Sequence, residues 1–223
     1  MVQRHRGPAK RGSQKWIQFL VNEKPHILDS CIARELDLPE DDRITWLSPL
    51  KTEGYAEYFD QASLDKLGVK LKKKPLTDFW PKNGPHWDAL GKTTRSEKLL
   101  LVEAKSHITE LISSARPNPA SLQKIKESLD NTRDFLNSKS AADWTVGFYQ
   151  YVNRLAHLYL LRQENDVQAY LVFVYFLNDV EMSGPATVEE WCAALDLLHA
   201  YLGLGRHKLQ KYIAKVFIDV SQI

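Results

Sequence analysis

Residues 99–107 read Leu-Leu-Leu-Val-Glu-Ala-Lys-Ser-His, and this stretch decides the fold. Its apolar residues do not alternate with polar ones, which is typical of a strand buried on both faces of a sheet. Glu103 and Lys105 interrupt the run, and in a strand both side chains would point to the same face, roughly 6–7 Å apart along it. Charged groups in a core strand cost several kcal/mol unless they are paired or bind an ion. The stretch therefore predicts a central strand that carries either a salt bridge or a functional site.

A second charged strand is predicted just upstream. Residues 84–90 read Gly-Pro-His-Trp-Asp-Ala-Leu, and residues 91–98 form a polar segment that begins with glycine, as hairpin connections do. Antiparallel pairing of the two strands would place Asp88 beside Glu103. Two carboxylates and a lysine at one end of a hairpin suit a hard cation such as Mg²⁺ or Mn²⁺ next to a substrate phosphate. The alternative is a buried ion pair of Lys105 with either carboxylate and no chemical role.

These residues resemble the active-site signature of the PD-(D/E)xK nuclease superfamily. The match consists of Asp88 followed by Glu103-Ala104-Lys105, with Pro85 three residues before the aspartate rather than next to it. The resemblance extends from about residue 50 to 178. It implies an α/β protein with a mixed central sheet flanked by helices, that is, a restriction-endonuclease-like core with an N-terminal helical extension. The other predicted elements are helices over residues 15–21, 25–36 and 121–136, a buried strand over 167–177, a helix capped by Thr187, and an edge strand over 216–220.

The resemblance also implies a function, the metal-dependent hydrolysis of phosphodiester bonds in DNA, with endonuclease and exonuclease action both open. Asp88, Glu103 and the backbone carbonyl of Ala104 would hold Mg²⁺ or Mn²⁺, and Lys105 would position or activate the attacking water. Nucleases of this kind often take a further acid from the first core helix. That helix is predicted over residues 54–67, where Glu57 is the candidate metal ligand and a solvated carboxylate is the alternative.

A polar stripe on a helix predicted over residues 143–162 supplies further candidates. Gln150, Asn153, Arg154 and His157 fall at positions i, i+3, i+4 and i+7, and therefore on one helix face. The stripe contains no acidic residue and no lysine, unlike most exposed helix faces. The resemblance implies that Gln150 and Arg154, with Asn153 beside them, bind the scissile phosphate. The alternative is the solvated face of a surface helix.

Segments that flank the hairpin contribute the remaining candidates. Lys72, Lys73 and Lys74 belong to a lysine run that either binds a nucleic-acid backbone or is only solvated, next to an edge strand predicted over residues 75–81. His107 follows the Glu-x-Lys strand at the start of a helix predicted over residues 107–114. This histidine either contacts the site or simply begins the helix.

The composition excludes several classes of protein. The chain has 223 residues, of which 43% are hydrophobic and 26% charged, as in an ordinary globular protein, and no apolar run is long enough to span a bilayer. Cys31 and Cys192 lack metal-type spacing and, without a secretory signal, are predicted to be reduced thiols in a cytoplasmic protein. Residues 1–50 are predicted to be a basic arm and helical extension. Residues 51–223 are predicted to be the nuclease-like domain, with a helical insertion over about 115–140.

Several alternatives for partner and function stay open at this point. The net charge of +2 neither demands nor opposes nucleic acid. DNA is the predicted partner, RNA is not excluded, and no membrane partner is expected. One alternative is a catalytically silent module of the same fold that binds nucleic acid or a protein. Another is an interaction protein in which Asp88, Glu103 and Lys105 form only a structural ion cluster. One active site would need a second copy to cut both strands in one visit, so a homodimer is also open.

Overall fold

The structure is a computed structural model that describes residues 3–4 and 7–223. Its helices and strands follow in this order: β1 Gln3–Arg4, α1 Gly12–Glu23, α2 Pro25–Glu35, β2 Ile44–Ser48, β3 Glu57–Tyr58, α3 Asp60–Leu67, α4 Leu76–Phe79, β4 Ala89–Thr93, β5 Leu99–Lys105, α5 Pro119–Leu136, α6 Tyr149–Tyr159, β6 Ala169–Leu177, α7 Val188–Leu202 and β7 Ile213–Asp219. Among the described residues, no helix combines the length and apolarity needed to cross a membrane.

Five strands form a mixed central sheet in the order β2-β4-β5-β6-β7. The β2, β4 and β5 strands pair antiparallel, whereas β6 and β7 run parallel to β5. The segment with α5 and α6 makes the crossover from β5 to β6, and α7 makes the crossover to β7, because parallel neighbours need long connections. Helices α1 and α2 pack on one face of the sheet, and α5, α6 and α7 pack on the other. The predicted α/β class with a mixed, helix-flanked sheet is confirmed.

The predicted hairpin is present, but its first strand begins at Ala89 rather than at residue 84, and its connection is shorter than expected. The β4 and β5 strands pair with Ala89 opposite Val102, and the strand continues through Gly91, so the connection spans residues 94–98 rather than 91–98. A glycine suits this position of the strand because the ring of Trp46 on β2 lies directly against its backbone. A Cβ atom at Gly91 would approach that ring to 3.1 Å. All seven residues of β5 are buried, as its apolar run predicts.

The outer strand β2 is a correction to the prediction for residues 1–50. These residues are predicted to contain an arm and helices, and α1 and α2 confirm the two helices. Residues 44–48, however, add a strand to the central sheet, with Trp46 and Ser48 facing inward. Its five residues give only a short alternation, and its pairing partner β4 lies far along the chain. Sequence periodicity alone is therefore too weak to reveal this strand.

The helix predicted over residues 54–67 is wrong in its first half. Gly54 has a left-handed φ of 61° and ends the preceding 3₁₀ turn, after which Glu57 and Tyr58 form β3 and pair with β1. Tyr58 also forms an isolated β-bridge with Trp87. Only the second half of the segment is helical, as α3. Glu57 therefore lies on a strand beside the hairpin and not on the first core helix.

The edge strand predicted over residues 75–81 is also wrong. These residues contain the short helix α4, which begins directly after Pro75. The backbone N–H of Trp80 donates to the carbonyl of Leu76 at 2.7 Å and closes the helical turn. Proline supplies a fixed φ and no donor, so it suits a helix start as well as a strand edge.

Two helix boundaries near the candidate site also differ from prediction. The helix predicted over residues 107–114 is only the 3₁₀ turn Ile108–Leu111, because Ser113 leaves it to form a parallel β-bridge with Phe148. The same bridge delays the helix predicted over residues 143–162, which begins as α6 directly after Phe148. A tertiary contact between the two segments therefore overrides helix propensity in both.

The remaining predicted elements are confirmed. The β6 strand covers most of residues 167–177 and pairs in parallel with β5, and β7 is the edge strand predicted over 216–220. The α5 helix covers residues 121–136. Thr187 and Glu190 form the capping box of α7, each side chain accepting a hydrogen bond from the other residue's backbone.

Candidate functional site

Asp88 is held at the end of the hairpin by contacts with β5. Its backbone N–H donates to the carbonyl of Val102 at 3.0 Å, and its Oδ2 accepts a hydrogen bond from the N–H of Ala104 at 2.8 Å. The last paired residues are Ala89 and Val102, so the Asp88 side chain takes the place of the next backbone partner. The partly buried carboxyl group thus lies against the middle residue of Glu103-Ala104-Lys105.

Glu103, Lys105 and Arg154 form a buried ion cluster next to Asp88. Lys105 Nζ lies 2.6 Å from Glu103 Oε1, while Arg154 Nε and Nη2 lie 2.7 and 2.6 Å from Oε2. The Glu103, Arg154 and Lys105 side chains are 4%, 6% and 11% exposed, so water screens these contacts little. Arg154 Nη2 also donates to the carbonyl of His86 at 2.9 Å. Cations therefore contact both oxygens of Glu103.

The polar stripe of α6 faces the protein interior. Asn153, Arg154 and His157 are buried, and Gln150 Oε1 accepts a hydrogen bond from Lys105 Nζ at 3.1 Å. Burial lowers the pKa of His157 to about 3, so its ring is neutral, and its Nδ1–H donates to the carbonyl of Asn153 at 2.9 Å. The solvated-face alternative is wrong for these residues. Gln150 and Arg154 reach the ion cluster, whereas Asn153 and His157 contribute to the packing behind it.

The groups of the site differ sharply in ionisation. Burial, and then the negative charges of Glu103 and Glu57, raise the pKa of Asp88 to about 8. Burial opposes the charge of Glu103, but Arg154 and Lys105 outweigh it and hold the pKa of that carboxyl below its ordinary value. Burial likewise opposes the charge of Lys105, but Glu103 and Asp88 outweigh it and raise the pKa of the lysine. At neutral pH the site therefore contains a protonated Asp88, an anionic Glu103 and a cationic Lys105.

Replacing Asp88 by asparagine should remove part of the pH dependence of stability. The folded Asp88 carboxyl binds its proton up to a pKa of about 8, against 3.8 for an unperturbed aspartate. Between these values the folded state holds more protons than the unfolded state, so the free energy of unfolding falls as pH rises. Each pKa unit corresponds to about 1.4 kcal/mol. The Asp88 side chain is partly exposed, so solvent screens part of this energy. We therefore expect the free energy of unfolding to fall by about 2 kcal/mol from about pH 5 to pH 8.

Urea unfolding in EDTA at several pH values measures this effect. The free energy of unfolding of Asp88→Asn should lose this dependence, whereas Asp134→Asn, which alters an exposed carboxyl on α5, should follow the parent. Identical pH profiles for the parent and Asp88→Asn would show that the prediction is wrong.

Glu57 lies near the site although its element differs from prediction. The β-bridge between Tyr58 and Trp87 brings β3 beside the start of β4. The Glu57 side chain is buried, and Gln14 Nε2 on α1 donates to its Oε1 at 2.5 Å. Its charge is one of the causes that raise the pKa of Asp88. Glu57 therefore stays a candidate third acid, now on a strand.

Glu110 is an acid beside the site that is not among the sequence-based candidates. It lines a narrow gap together with Glu103 and Lys105, and it accepts a hydrogen bond from Ser13 Oγ of α1 at 2.9 Å. His107 Nε2 lies 3.2 Å from Glu110 Oε1, so this predicted site residue contacts the rim of the site. The available sequence signal for Glu110 is an acid placed shortly after the Glu-x-Lys strand, where the chain turns back.

The lysine run lies at the opposite end of β5 from Glu103. Lys73 forms an ion pair with Asp166, and Lys74 Nζ lies 3.4 Å from Glu164 Oε2, just before β6 begins. The β5 and β6 strands start side by side, so the lysine run lies near the start of β5. About six residues at roughly 3.3 Å each lead from there to the far end of β5, which places the run about 20 Å from that end. The structure thus does not bring Lys72, Lys73 and Lys74 to the site. A role for them in binding a distant part of a nucleic acid stays a prediction.

The donor chemistry of the site suits a hard divalent cation. Asp88, Glu103 and the carbonyl of Ala104 offer the oxygen ligands that Mg²⁺ takes. Burial, and then the charges of Glu103 and Glu57, raise the pKa of Asp88, and a bound cation would lower it again. A cation would compete with Lys105 and Arg154 for the oxygens of Glu103. Over residues 3–4 and 7–223, no three His, Cys, Asp or Glu side chains are arranged to hold a metal ion.

Comparisons with known proteins do not identify a family. No family model matches the chain. No curated protein and no solved structure is similar to it at a significant level. Any functional conclusion therefore rests on the residues and geometry of the site.

Proposed function

We propose that this protein is a divalent-metal-dependent nuclease that hydrolyses phosphodiester bonds in DNA. One observation carries the proposal: Asp88, Glu103 and Lys105 converge at one end of a buried hairpin, with Asp88 bonded to Ala104 and Lys105 bonded to Glu103. The order of elements is consistent with it. A hairpin that ends in the Glu-x-Lys strand, a helical crossover and a parallel strand are part of what the PD-(D/E)xK resemblance implies, although the first helix and first strand of the predicted core differ. A restriction-endonuclease-like core is therefore part of the proposal.

Each residue of the site has a distinct role in the proposed reaction. Asp88, Glu103 and the Ala104 carbonyl would hold Mg²⁺ or Mn²⁺, with Glu57 as a further acid. The ion would supply Lewis-acid stabilisation of charge on the phosphoryl group. Lys105 is a cation whose pKa is raised, so it stabilises negative charge on the phosphoryl oxygens rather than accepting a proton.

Gln150 and Arg154 act through their neighbours in this arrangement. Gln150 accepts a hydrogen bond from the Lys105 ammonium group and so fixes its direction. Arg154 holds Glu103 with two N–H groups and is itself held by the His86 carbonyl. We therefore assign Arg154 as a positioning residue, in place of the phosphate ligand that the sequence predicts.

A second candidate function is a catalytically silent module that binds nucleic acid or a protein partner. The observation in its favour is that Lys105 and Arg154 contact both oxygens of Glu103, so a metal ion must displace or share these contacts. This candidate predicts DNA binding that is sensitive to salt, needs no divalent ion and survives the loss of Glu103.

Cleavage assays on single-stranded, duplex and branched DNA, and on RNA, with Mg²⁺, Mn²⁺ or EDTA, test the proposal. We expect the parent to cut at least one DNA substrate only when the ion is present. Glu103→Gln should be slower by at least about 10²-fold, because it removes a charge at the reacting centre. Glu97→Gln, which alters an exposed glutamate in the turn of the same hairpin, should cut like the parent.

The outcomes separate the two candidates. Parental cleavage by Glu103→Gln would overturn the nuclease proposal. Calorimetric Mg²⁺ binding that disappears in Glu103→Gln would support the metal site. No cleavage of any substrate, together with metal-independent DNA binding by both proteins, would favour the silent module.

A further inference from the structure

A large open pocket lies at the β7 edge of the sheet, separate from the candidate nuclease site. Its volume is about 540 Å³, and it is bounded by the end of α7, the segment that follows it, and β7. His199, Arg206, His207 and Lys215 supply most of its polar wall, and Tyr151 of α6 closes it on the inner side. The proposed nuclease chemistry uses none of these five residues.

The pocket has an excess of positive charge. Arg206 and Lys215 line it, and Lys208 and Lys211 line a second concavity that shares Arg206 and His207 with it. Within the part of the chain that the structure describes, none of these four cations forms a salt bridge. The acidic lining residue is Glu35, which is exposed on α2. Unpaired cations in a concave surface focus a positive potential and attract anions.

Two histidines in the pocket are available as neutral hydrogen-bonding groups. Burial, and then the charge of Lys215, lower the pKa of His199 to about 4 and also lower the pKa of His207. His199 Nε2 forms a 2.9 Å hydrogen bond with the hydroxyl group of Tyr151. His207 Nδ1 is buried and has no hydrogen-bond partner among the described residues. Cations that form no salt bridge, next to two neutral histidine rings, are consistent with an anionic ligand, whereas Lys215 would repel a metal ion.

The pocket lies on the same side of the sheet as the Glu103 ion cluster. Glu103, Phe173 and Lys215 are in register on β5, β6 and β7, so their side chains leave the same face. Two strand spacings separate the backbone at Glu103 from the backbone at Lys215, or about 10 Å. The Tyr151 ring, stacked on Phe173 with centroids 4.8 Å apart, stands between the two.

We propose that this pocket binds a phosphate group of a nucleic-acid strand whose path continues toward the Glu103 ion cluster. Arg206 and Lys215 contribute the charge, and the His207 ring lies beside them in the wall of the pocket. The proposal takes from the proposed function only that the ligand is a nucleic acid. It does not require turnover or a metal ion.

The salt dependence of DNA binding tests this proposal in EDTA, where no cleavage occurs. Anisotropy of a fluorescein-labelled DNA oligonucleotide gives the observed binding constant at several salt concentrations. Each lost ionic contact should reduce the slope of log K against log salt by about 0.7 for single-stranded DNA and about 0.9 for duplex DNA. We expect this reduction in Arg206→Gln and in Lys215→Gln. Arg43→Gln, an exposed arginine beside β2 at the opposite edge of the sheet, is the matched control and should keep the parental slope.

A second measurement distinguishes a nucleic-acid phosphate from free phosphate. Inorganic phosphate should shift the ring NMR signals of His207 in the parent and not in Lys215→Gln. If phosphate shifts these signals but both variants keep the parental DNA slope, the pocket serves a small phosphate ligand and the nucleic-acid assignment is overturned. If both variants keep the parental slope and phosphate shifts no His207 signal, the assignment of this pocket as a phosphate-binding site is overturned. This test does not measure cleavage. A reduced salt dependence of DNA binding in Arg206→Gln and Lys215→Gln would therefore support this site even if the protein cuts no DNA.

Discussion

Replacing Lys105 by methionine should lower the rate of DNA cleavage by at least about 10²-fold, because preorganised charges at a phosphoryl group typically contribute that much. Methionine keeps an unbranched apolar stem of similar size and removes the ammonium group. Glu103 stays paired with Arg154 through Oε2, so the protein should remain folded. The Lys105 side chain is only 11% exposed, so we expect little change in DNA affinity in EDTA.

A matched surface variant separates chemistry from general charge loss. Lys92→Met removes a lysine from β4 of the same hairpin, where it pairs with Glu97 in the turn at 2.9 Å. We expect this variant to cut DNA at the parental rate. Single-turnover cleavage with Mg²⁺, together with circular dichroism to verify folding, measures the effect. Parental cleavage by Lys105→Met would show that the lysine has no part in the reaction and that its contact with Glu103 is only structural.

Replacing Arg154 by methionine should lower the free energy of unfolding by about 2–4 kcal/mol, because it removes buried hydrogen bonds to a charged group, which contribute about 1.5–3 kcal/mol each. The change leaves Glu103 buried with Lys105 alone and removes the donor to the His86 carbonyl. The effect comes from Glu103 Oε2 and the His86 carbonyl, which lose their buried charged donor, since methionine fills much of the same volume. Urea unfolding in EDTA measures it.

Two controls make the Arg154 prediction specific. The triple variant Glu103→Gln, Lys105→Met and Arg154→Met removes all three charges of the cluster and should be more stable than Arg154→Met alone by at least about 1 kcal/mol. Arg95→Met removes an exposed arginine that pairs with Asp41, and should cost less than about 1 kcal/mol. An Arg154→Met variant as stable as Arg95→Met would contradict the buried pairing.

The central part of the fold can be predicted because its signals are local. The apolar run that contains Glu103 and Lys105 has the composition and length of a buried strand. The long helical segment between this strand and β6 indicates that the two strands are parallel. The absence of acids and lysines from the α6 stripe is also a local signal, and it correctly distinguishes that face from a solvated one. These features depend on residues that are neighbours in the chain.

The parts that cannot be predicted depend on distant partners. The β3 strand forms because residues 57–58 pair with residues 3–4, and no periodicity in two residues can indicate that. The β2 strand depends on the space that Gly91 leaves for Trp46. The partner of Arg154 is equally hidden, because a helix stripe shows which residues share a face but not what that face meets. Arg154 consequently contacts Glu103 and not the surface where a phosphate ligand is expected.

The contacts that hold the site together also determine when the site can form. Three of these contacts join residues that are 97, 45 and 51 positions apart in the chain, namely Ser13 with Glu110, Gln150 with Lys105, and Arg154 with Glu103. Contacts of such long sequence separation form late, since the entropy of closing the loop must be overcome first. A chain emerging from the ribosome has Asp88, Glu103 and Lys105 long before it has α6. The ion cluster therefore stays incomplete until residue 154 has been made, and a nascent chain shorter than that should lack the nuclease activity proposed above.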